Sequence, residues 1–183
     1  MSKSDQQLIA DYLDGEEKAL EELVNRYLKS IYNFIYRITN SLEEAEDITQ
    51  ETFLKLWKNL EKYNQEENFK AWLFAIARNT TIDWLRKKKN IKFSDFESEE
   101  DENKFENSLV DKTPLPNELA VKSEQKQKLD RVLNKLPIIY REVLLLHYYE
   151  DLTFDEIGKV LNKPLNTVKS QHRRALVAIK KLF

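Results

Sequence analysis

The sequence predicts an all-α protein: two small helical domains joined by a flexible acidic linker. Three observations point there. Apolar residues recur at steps of three and four along most of the 183 residues, the signature of helices with one buried face. None of the four prolines falls inside a segment with that period. Between the two periodic halves lies a stretch that is acidic and poor in spaced apolar residues.

Asp5 to Leu13 predicts a short amphipathic helix, ended by Asp14-Gly15. From Glu16 to Asn40, Leu20, Leu23, Val24, Tyr27, Leu28, Ile31, Ile35 and Ile38 mark one face of a long helix that Asn40 closes. Ser41 to Glu44 reads SLEE, a capping box in which the Ser41 hydroxyl accepts from the amide three residues on and Glu44 reaches back. The helix it opens runs to about Leu60, with Ala45, Ile48, Phe53, Leu56, Trp57 and Leu60 expected inward. After the polar loop EKYNQEEN, a fourth helix spans about Phe69 to Lys89, with Phe69, Trp72, Leu73, Ile76 and Ala77 on one side.

Residues 1–90 are thus expected as one domain, 91–117 as the linker and 118–183 as the second domain. Low hydrophobicity with high net charge cannot offset the entropy of ordering, so the linker is expected to be extended or disordered in the free chain. Helical period resumes near Glu118 and stops at Pro137, which suits the first position of the next helix. That helix reaches about Tyr149. Thr153-Phe154-Asp155-Glu156 forms a second capping box, and the last helix starts near Pro164 and runs to Leu182.

The formal net charge is only −2, but the charges are segregated. Arg78 to Lys92 carries six Lys/Arg and one acid; Ser94 to Asp111 carries eight acids and one Lys; Thr153 to Phe183 carries seven Lys/Arg and two acids. Such blocks suggest charged partners. Other functions are disfavoured. With no cysteine, disulfides and thiolate metal sites are excluded. Two histidines far apart, His147 and His172, make a zinc hydrolase improbable. Two glycines give a glycine-rich phosphate loop nothing to be built from. No apolar run approaches the ~20 residues that span a bilayer, and the N-terminus is polar, so a cytoplasmic protein with no membrane insertion is expected. No catalytic residue, metal ligand or cofactor site is evident.

Near the C-terminus, Phe154 to Leu161 is a short helix with Phe154, Ile157 and Leu161 inward and Gly158 beside that stripe. Leu161-Asn162-Lys163-Pro164 is a break, in which Asn162 tolerates the left-handed conformation that ends helices. In the next helix Val168, Ala175, Leu176 and Ile179 face inward. Asn166, Thr167, Lys169, Ser170, Arg173 and Arg174 then face outward. A short helix, a tight turn and a basic helix with exposed polar groups is the arrangement that reads DNA through the major groove. An ordinary helical hairpin with a solvated basic face is the alternative. His172 falls between the two faces, and His147 is expected at a helix surface.

The string EIGKVLNKPLNTVKSQHRRALVAIKKL, with TVKS followed by RRAL, resembles the C-terminal helix-turn-helix of the sigma-70 family, in particular the extracytoplasmic-function (ECF) sigma factors. Upstream, AEDITQETFLKLWKNL (Ala45 to Leu60) is similar to the sigma helix that docks on the coiled coil of the RNA polymerase largest subunit. FKAWLFAIARNTTIDWLRKKK (Phe69 to Lys89) is similar to the helix that reads and opens the upstream edge of the transcription bubble. The resemblance covers nearly the whole chain.

It implies a non-enzymatic initiation subunit that binds core RNA polymerase through the coiled coil and the flap, and binds promoter DNA. An anti-sigma factor is a further implied partner. Asp47, Gln50 and Glu51, on one face at i, i+3 and i+4, are the implied polymerase contacts. Phe53 and Trp57 are expected in the core rather than at that contact. Arg78, Asn79, Asp83, Arg86 and Lys87, with the loop Tyr63 to Asn68, are implied to engage the −10 element as a single strand. Asp83 has a second reading, as a partner of Arg86 or Lys87 within the protein. Asn166, Thr167, Lys169, Ser170, Arg173 and Arg174 are implied to read the −35 element. Where primary sigma factors carry adjacent aromatic wedges, this chain has Ala75-Ile76. A lone helix-turn-helix regulator would leave the upstream motifs idle. A recombinase would need a strand-rich catalytic domain that the helical N-terminal half does not offer.

Overall fold

The computed structural model describes residues 3–89 and 131–182. The acidic stretch and the resumption of helical period near Glu118 fall outside the described residues. Seven helices follow one another: α1 (Asp5–Leu13), α2 (Glu17–Thr39), α3 (Leu42–Asn59), α4 (Phe69–Lys89), α5 (Ile138–Tyr148), α6 (Phe154–Leu161) and α7 (Leu165–Leu182). A 3₁₀ turn, Leu60–Lys62, extends α3, and residues 131–134 are helical. Every regular element among the described residues is a helix.

The caps set the boundaries. Ser4 and Gln7 form a reciprocal box at the start of α1. Thr153 and Glu156 do the same for α6: the Glu156 amide donates to Thr153 Oγ1 at 3.3 Å, and the Thr153 amide to Glu156 Oε2 at 2.8 Å. At α3 only half of the expected box is present. Ser41 Oγ accepts from the Glu44 amide at 3.3 Å, but the Glu44 carboxylate pairs with Lys88 of α4 instead of reaching back. A cation on a neighbouring helix outcompetes the amide for that carboxylate. Asn40 (φ 56°) and Asn162 (φ 52°) end α2 and α6 in the left-handed region, where Asn costs less than most residues. Pro137 and Pro164 stand one residue ahead of their helices, accepting the first intrahelical bonds through their carbonyls.

Helices α1 to α4 pack around Leu8, Leu23, Ile31, Phe34, Ile48 and Leu56. The Phe34 and Phe74 rings meet edge to face at 5.3 Å. Helices α5 to α7 pack around Val143, Leu146, Ile157, Val168 and Ala175. The two sets join into one hydrophobic core, because α6 packs on α4 and α5 on α2. Helix α4 is therefore buried over about half of its circumference, at 100° per residue. Ala71, Leu73, Phe74, Ala77, Arg78, Thr80 and Thr81 are all buried, far more than a single stripe. The Thr80 and Thr81 hydroxyls are satisfied by the carbonyls of Ile76 and Ala77, each at 2.8 Å.

The turn between α6 and α7 explains Gly158. The Lys163 amide donates to the Gly158 carbonyl at 2.8 Å, folding the chain back over the end of α6. A Cβ at Gly158 would lie 2.8 Å from the Lys163 carbonyl oxygen. The close approach is thus by the turn backbone. Backbone cannot swing aside as a side chain can. Gly158→Ala is expected to lose about 1–3 kcal/mol to crowding, more than the ~1 kcal/mol that alanine gains in helix propensity. Urea unfolding should therefore show a lower midpoint; a higher midpoint would contradict this account of the turn.

Candidate functional site

Three surfaces carry the residues singled out by the sequence. The first is the outer face of α3. Ala45, Ile48, Thr49, Thr52 and Leu56 point inward. Asp47 and Gln50 consequently face solvent. Glu51 is half-buried beside Lys55, their charged atoms 2.8 Å apart. Lys55 also donates to Thr80 Oγ1 of α4 at 3.1 Å. A shallow groove between α2 and α3, lined by Leu28, Lys29, Tyr32, Glu46, Thr49 and Gln50, borders this face.

Two apolar residues belong to it as well. Trp57, expected in the core, is 53 % exposed. The inward stripe of α3 is centred on residues 45, 52 and 56, which turns Trp57 about 120° away from it at 100° per residue. Its indole N–H donates to the Tyr12 hydroxyl at 2.8 Å, and the ring stays in solvent. Leu54 is 55 % exposed and lies among the polar trio, seven residues after Asp47, four after Gln50 and three after Glu51. That spacing was the available signal for a residue the sequence reading passed over.

The second surface is α4 with the loop before it. Asn79, Asp83, Arg86 and Lys87 are exposed. Asp83 and Arg86 pair at 3.3 Å, in keeping with one of the two readings of Asp83. Arg78 does not share this open face. It is 9 % exposed, and its Nε donates to Glu142 Oε1 of α5 at 3.0 Å. In the loop, the buried Tyr63 hydroxyl donates to the Glu67 carbonyl, and its ring packs on Phe69 and Trp72 at 5.4 and 4.9 Å. Asn68 caps α4 by accepting from the Ala71 amide at 3.1 Å, and its own amide donates to Glu156 at 2.5 Å. Lys70 Nζ lies 2.7 Å from the Glu150 carbonyl and 3.1 Å from its carboxylate.

These partners from the C-terminal half are a finding of the structure. Arg141, beside Glu142, is also buried. Its guanidinium donates to the Arg37 carbonyl at 3.0 Å, at the C-terminal end of α2, and to the carbonyls of Asn134 and Leu136 at 2.8 and 3.0 Å. Orphan carbonyls at a helix end are natural partners for a cation. Burial pulls the Arg141 pKa down to about 10, against the opposing pull of Glu142. Burial pushes the Glu150 carboxyl up, only partly offset by Lys70. Arg37 lies over the Tyr149 ring, 4.3 Å from its centroid.

The third surface is α7. Val168, Gln171 and Ala175 are its buried residues. Leu176, expected inward, is 42 % exposed, because Gln171 rather than Leu176 continues the inward stripe from Val168. Asn166, Lys169, Arg173 and Arg174 are exposed, and Thr167 and Ser170 are half-exposed. The six expected residues thus share the outer side of one helix.

Behind that helix the two histidines meet. Their rings lie 5.3 Å apart, edge to face. His147 stacks on Phe154 at 4.6 Å, and its Nδ1 is 2.9 Å from the Leu152 carbonyl, which can only accept, so Nδ1 carries the proton. His172 Nε2 is 3.0 Å from the Tyr148 hydroxyl. The cluster ties α5, α6 and α7 together. Among the described residues no group of three or more His, Cys, Asp or Glu is placed to hold a metal ion, and no helix is long and apolar enough to cross a membrane.

Two stretches of the chain match known family models. Residues 23–91 match the family described as Sigma-70 region 2, and residues 126–179 match Sigma-70, region 4. The ECF RNA polymerase sigma factor SigW of Bacillus subtilis (strain 168) is 35 % identical over 168 residues, covering 91 % of this chain and 90 % of SigW. SigM of the same organism, also named an ECF RNA polymerase sigma factor, is 32 % identical over 165 residues, covering 90 % and 94 %. Among solved structures, CnrH in complex with the cytosolic domain of CnrY aligns with a TM-score of 0.70 at 20 % identity, covering 98 % of this chain and 97 % of CnrH. The sigma factor RpoE, in complex with the anti-sigma factor NepR from Bartonella quintana, gives 0.71 at 22 % identity, covering 90 % and 96 %. At such identities the likeness is one of fold.

The histidine cluster has a consequence for stability. Burial first, and then His147, pulls the His172 pKa below the ordinary 6.5. Below that value the unfolded chain takes up a proton at His172 more readily than the folded chain does, so folded stability falls as pH falls. The loss starts as pH drops through 6.5 and is complete below the folded pKa. Lowering pH from about 7.5 to about 5.5, across the imidazole range, should lower the melting temperature more in the parent than in His172→Asn. Equal pH slopes in the two proteins would contradict it.

Proposed function

The chain belongs to the sigma-70 family, among the ECF sigma factors, and from that membership we propose how its helices divide the work. An ECF sigma factor associates with core RNA polymerase and directs promoter-specific transcription initiation, and so does this chain. In our assignment the outer face of α3 docks on the coiled coil of the largest subunit through Asp47, Gln50 and Glu51. Leu54 and Trp57 add apolar area to that contact. Helix α4 and the loop before it engage the −10 element through Arg78, Asn79, Asp83, Arg86 and Lys87. Helix α7 reads the −35 element through Asn166, Thr167, Lys169, Ser170, Arg173 and Arg174. Residues 1–90 and 118–183 act as the two recognition units, the second seated on the flap, and 91–117 as their tether.

The chain supplies binding and selectivity to initiation and no catalytic step of its own. It works in the cytoplasm, where polymerase and promoter are, and an anti-sigma factor is a proposed further partner. One observation carries the docking assignment. Asp47 and Gln50 are exposed on a helix whose opposite face is buried, so nothing in the fold requires them.

Two measurements test these assignments. Replacing Asp47 and Glu51 by Lys should weaken binding to core polymerase at least about tenfold, the equivalent of 1.4 kcal/mol, with helical content unchanged. Undiminished affinity would sink the docking face. For α7, the full chain assembled with core polymerase is assayed on a library of −35 sequences at two salt concentrations. A base-reading Arg173 or Arg174 should, when replaced by Ala, relax preference at one position by about 1–3 kcal/mol; a phosphate-binding one should weaken all sites alike and flatten the salt dependence. Parent-like behaviour of both variants would remove α7 from the groove.

A further inference from the structure

Tyr148, the last residue of α5, is 56 % exposed although the run it belongs to is largely apolar. Its hydroxyl is held 3.0 Å from His172 Nε2. His172 is half-exposed on α7. At 100° per residue it lies about 60° around that helix from Lys169 and about 100° from Arg173. The Tyr148 hydroxyl is thus fixed at the edge of α7 that carries those two outward cations. A hydroxyl placed beside cations is a donor for an anion, and the anion that duplex DNA presents along the rims of its grooves is phosphate. We propose that Tyr148 is a phosphate-contacting residue of −35 recognition and that His172 is its positioning residue, aiming the hydroxyl by means of a proton. The proposal rests on the assignment of α7 to the −35 element.

Donor counting gives the mechanism. A neutral imidazole has one N–H and one bare nitrogen. With Nε2 bare, the Tyr148 O–H donates to it and has no proton left for DNA. With both ring nitrogens protonated, the Nε2–H donates to the Tyr148 oxygen instead, and the phenol proton turns outward. The charged ring therefore commits the hydroxyl to phosphate and sets a positive charge behind it. The proton comes from solvent and returns there when the DNA leaves.

The surroundings decide when the ring is charged. Against His172, α5 places His147 and Tyr148, and α6 places the Phe154 ring. On α7 itself Lys169 and Arg173 flank it. Burial, and then His147, disfavour the charged ring in the free chain. An approaching phosphate favours it. The coupling is reciprocal: DNA raises the proton affinity of His172, and a proton on His172 raises the affinity for DNA. The direction is opposite to that of the stability effect, so acid weakens the free fold at this cluster and strengthens its hold on DNA.

The full chain is assembled with core polymerase, and its affinity is measured on a labelled duplex library randomised across the −35 region. The measurement is made at about pH 7.5 and about pH 6.0, across the imidazole range, and at several salt concentrations. His172→Asn records the pH response of the rest of the assembly. Relative to it, the parent should gain at least about threefold at the lower pH, within the limit of about tenfold per pH unit for one proton. The parent's salt slope should also steepen by about 0.9, as for one more neutralised phosphate. Tyr148→Phe keeps the ring and its packing. At the lower pH it should bind every sequence at least about threefold more weakly than the parent, with the order of preference unchanged.

Parallel pH responses of the parent and His172→Asn overturn the proton gate. Parent-like binding by Tyr148→Phe at the lower pH, or a loss confined to particular bases, overturns the phosphate contact. Arg173→Ala with Arg174→Ala separates these results from the assignment beneath them. If that variant loses binding while Tyr148→Phe does not, the Tyr148 contact alone fails. If neither loses binding, the −35 assignment fails with it.

Discussion

Arg78 and Glu142 lie 64 residues apart in sequence and make one buried contact at 3.0 Å. Around it the apolar residues of both halves form one continuous core. Helix α4 has to satisfy neighbours on two sides at once, α2 and α3 on one and α6 on the other, and its burial over half its circumference follows from that. A helix in this position cannot be a simple amphipathic one. It has small residues such as Ala71 and Ala77 among its buried positions, threonines that bond to their own helix, and a cation where Glu142 of α5 presents an anion. The same helix carries most of the basic block, from Arg78 to Lys89. One element is thus both the centre of the fold and the surface assigned to nucleic acid, and the two duties compete for Arg78.

Much of this was legible in the sequence, and the legible part is local. Helix boundaries followed from caps whose chemistry involves residues three or four apart: Ser41 with Glu44, Thr153 with Glu156, Asn162 at the turn. The outer faces of α3 and α7 followed from the helical period. What escaped the sequence depends on partners far along the chain. Glu44 looked like a capping residue until Lys88, from another helix, claimed its carboxylate. Trp57 looked like core because a tryptophan in an apolar-periodic segment is usually buried; its angle on the helix decided otherwise. Phe34 is buried although it lies one residue off the stripe first drawn, because an edge-to-face contact with Phe74 draws it in. Gln171 is buried and Leu176 exposed, because the inward stripe of α7 runs through Val168, Gln171 and Ala175. Arg141 and Glu142 did leave a mark. They are two adjacent charges inside IIYREVLLLHYY, a run otherwise almost wholly apolar, and adjacent charges in such a run signal a buried polar contact with another element.

The C-terminal helices show how a recognition helix is held without being committed. Its inward residues are few, Val168, Gln171 and Ala175. The short helix before it is fixed by a reciprocal cap at one end and by the Asn162 turn at the other. The histidine cluster adds a third tie, between α5, α6 and α7. Every one of these contacts lies behind or beside α7, so none takes up the outward groups Lys169 and Arg173. The contrast with α4 is physical. The surface assigned to the −35 element keeps its outward groups Lys169 and Arg173 exposed, while Arg78, assigned to the −10 element, is buried against Glu142.

The central claim is that this chain gives RNA polymerase a promoter preference of its own. The most direct measurement is in vitro transcription by core polymerase, with and without the full chain, on a library of randomised promoters. The account predicts start sites that appear only with the chain and share two upstream blocks of sequence, one at −10 and one at −35. Transcription that is unchanged by the chain, or stimulated without any shared upstream sequence, would contradict it.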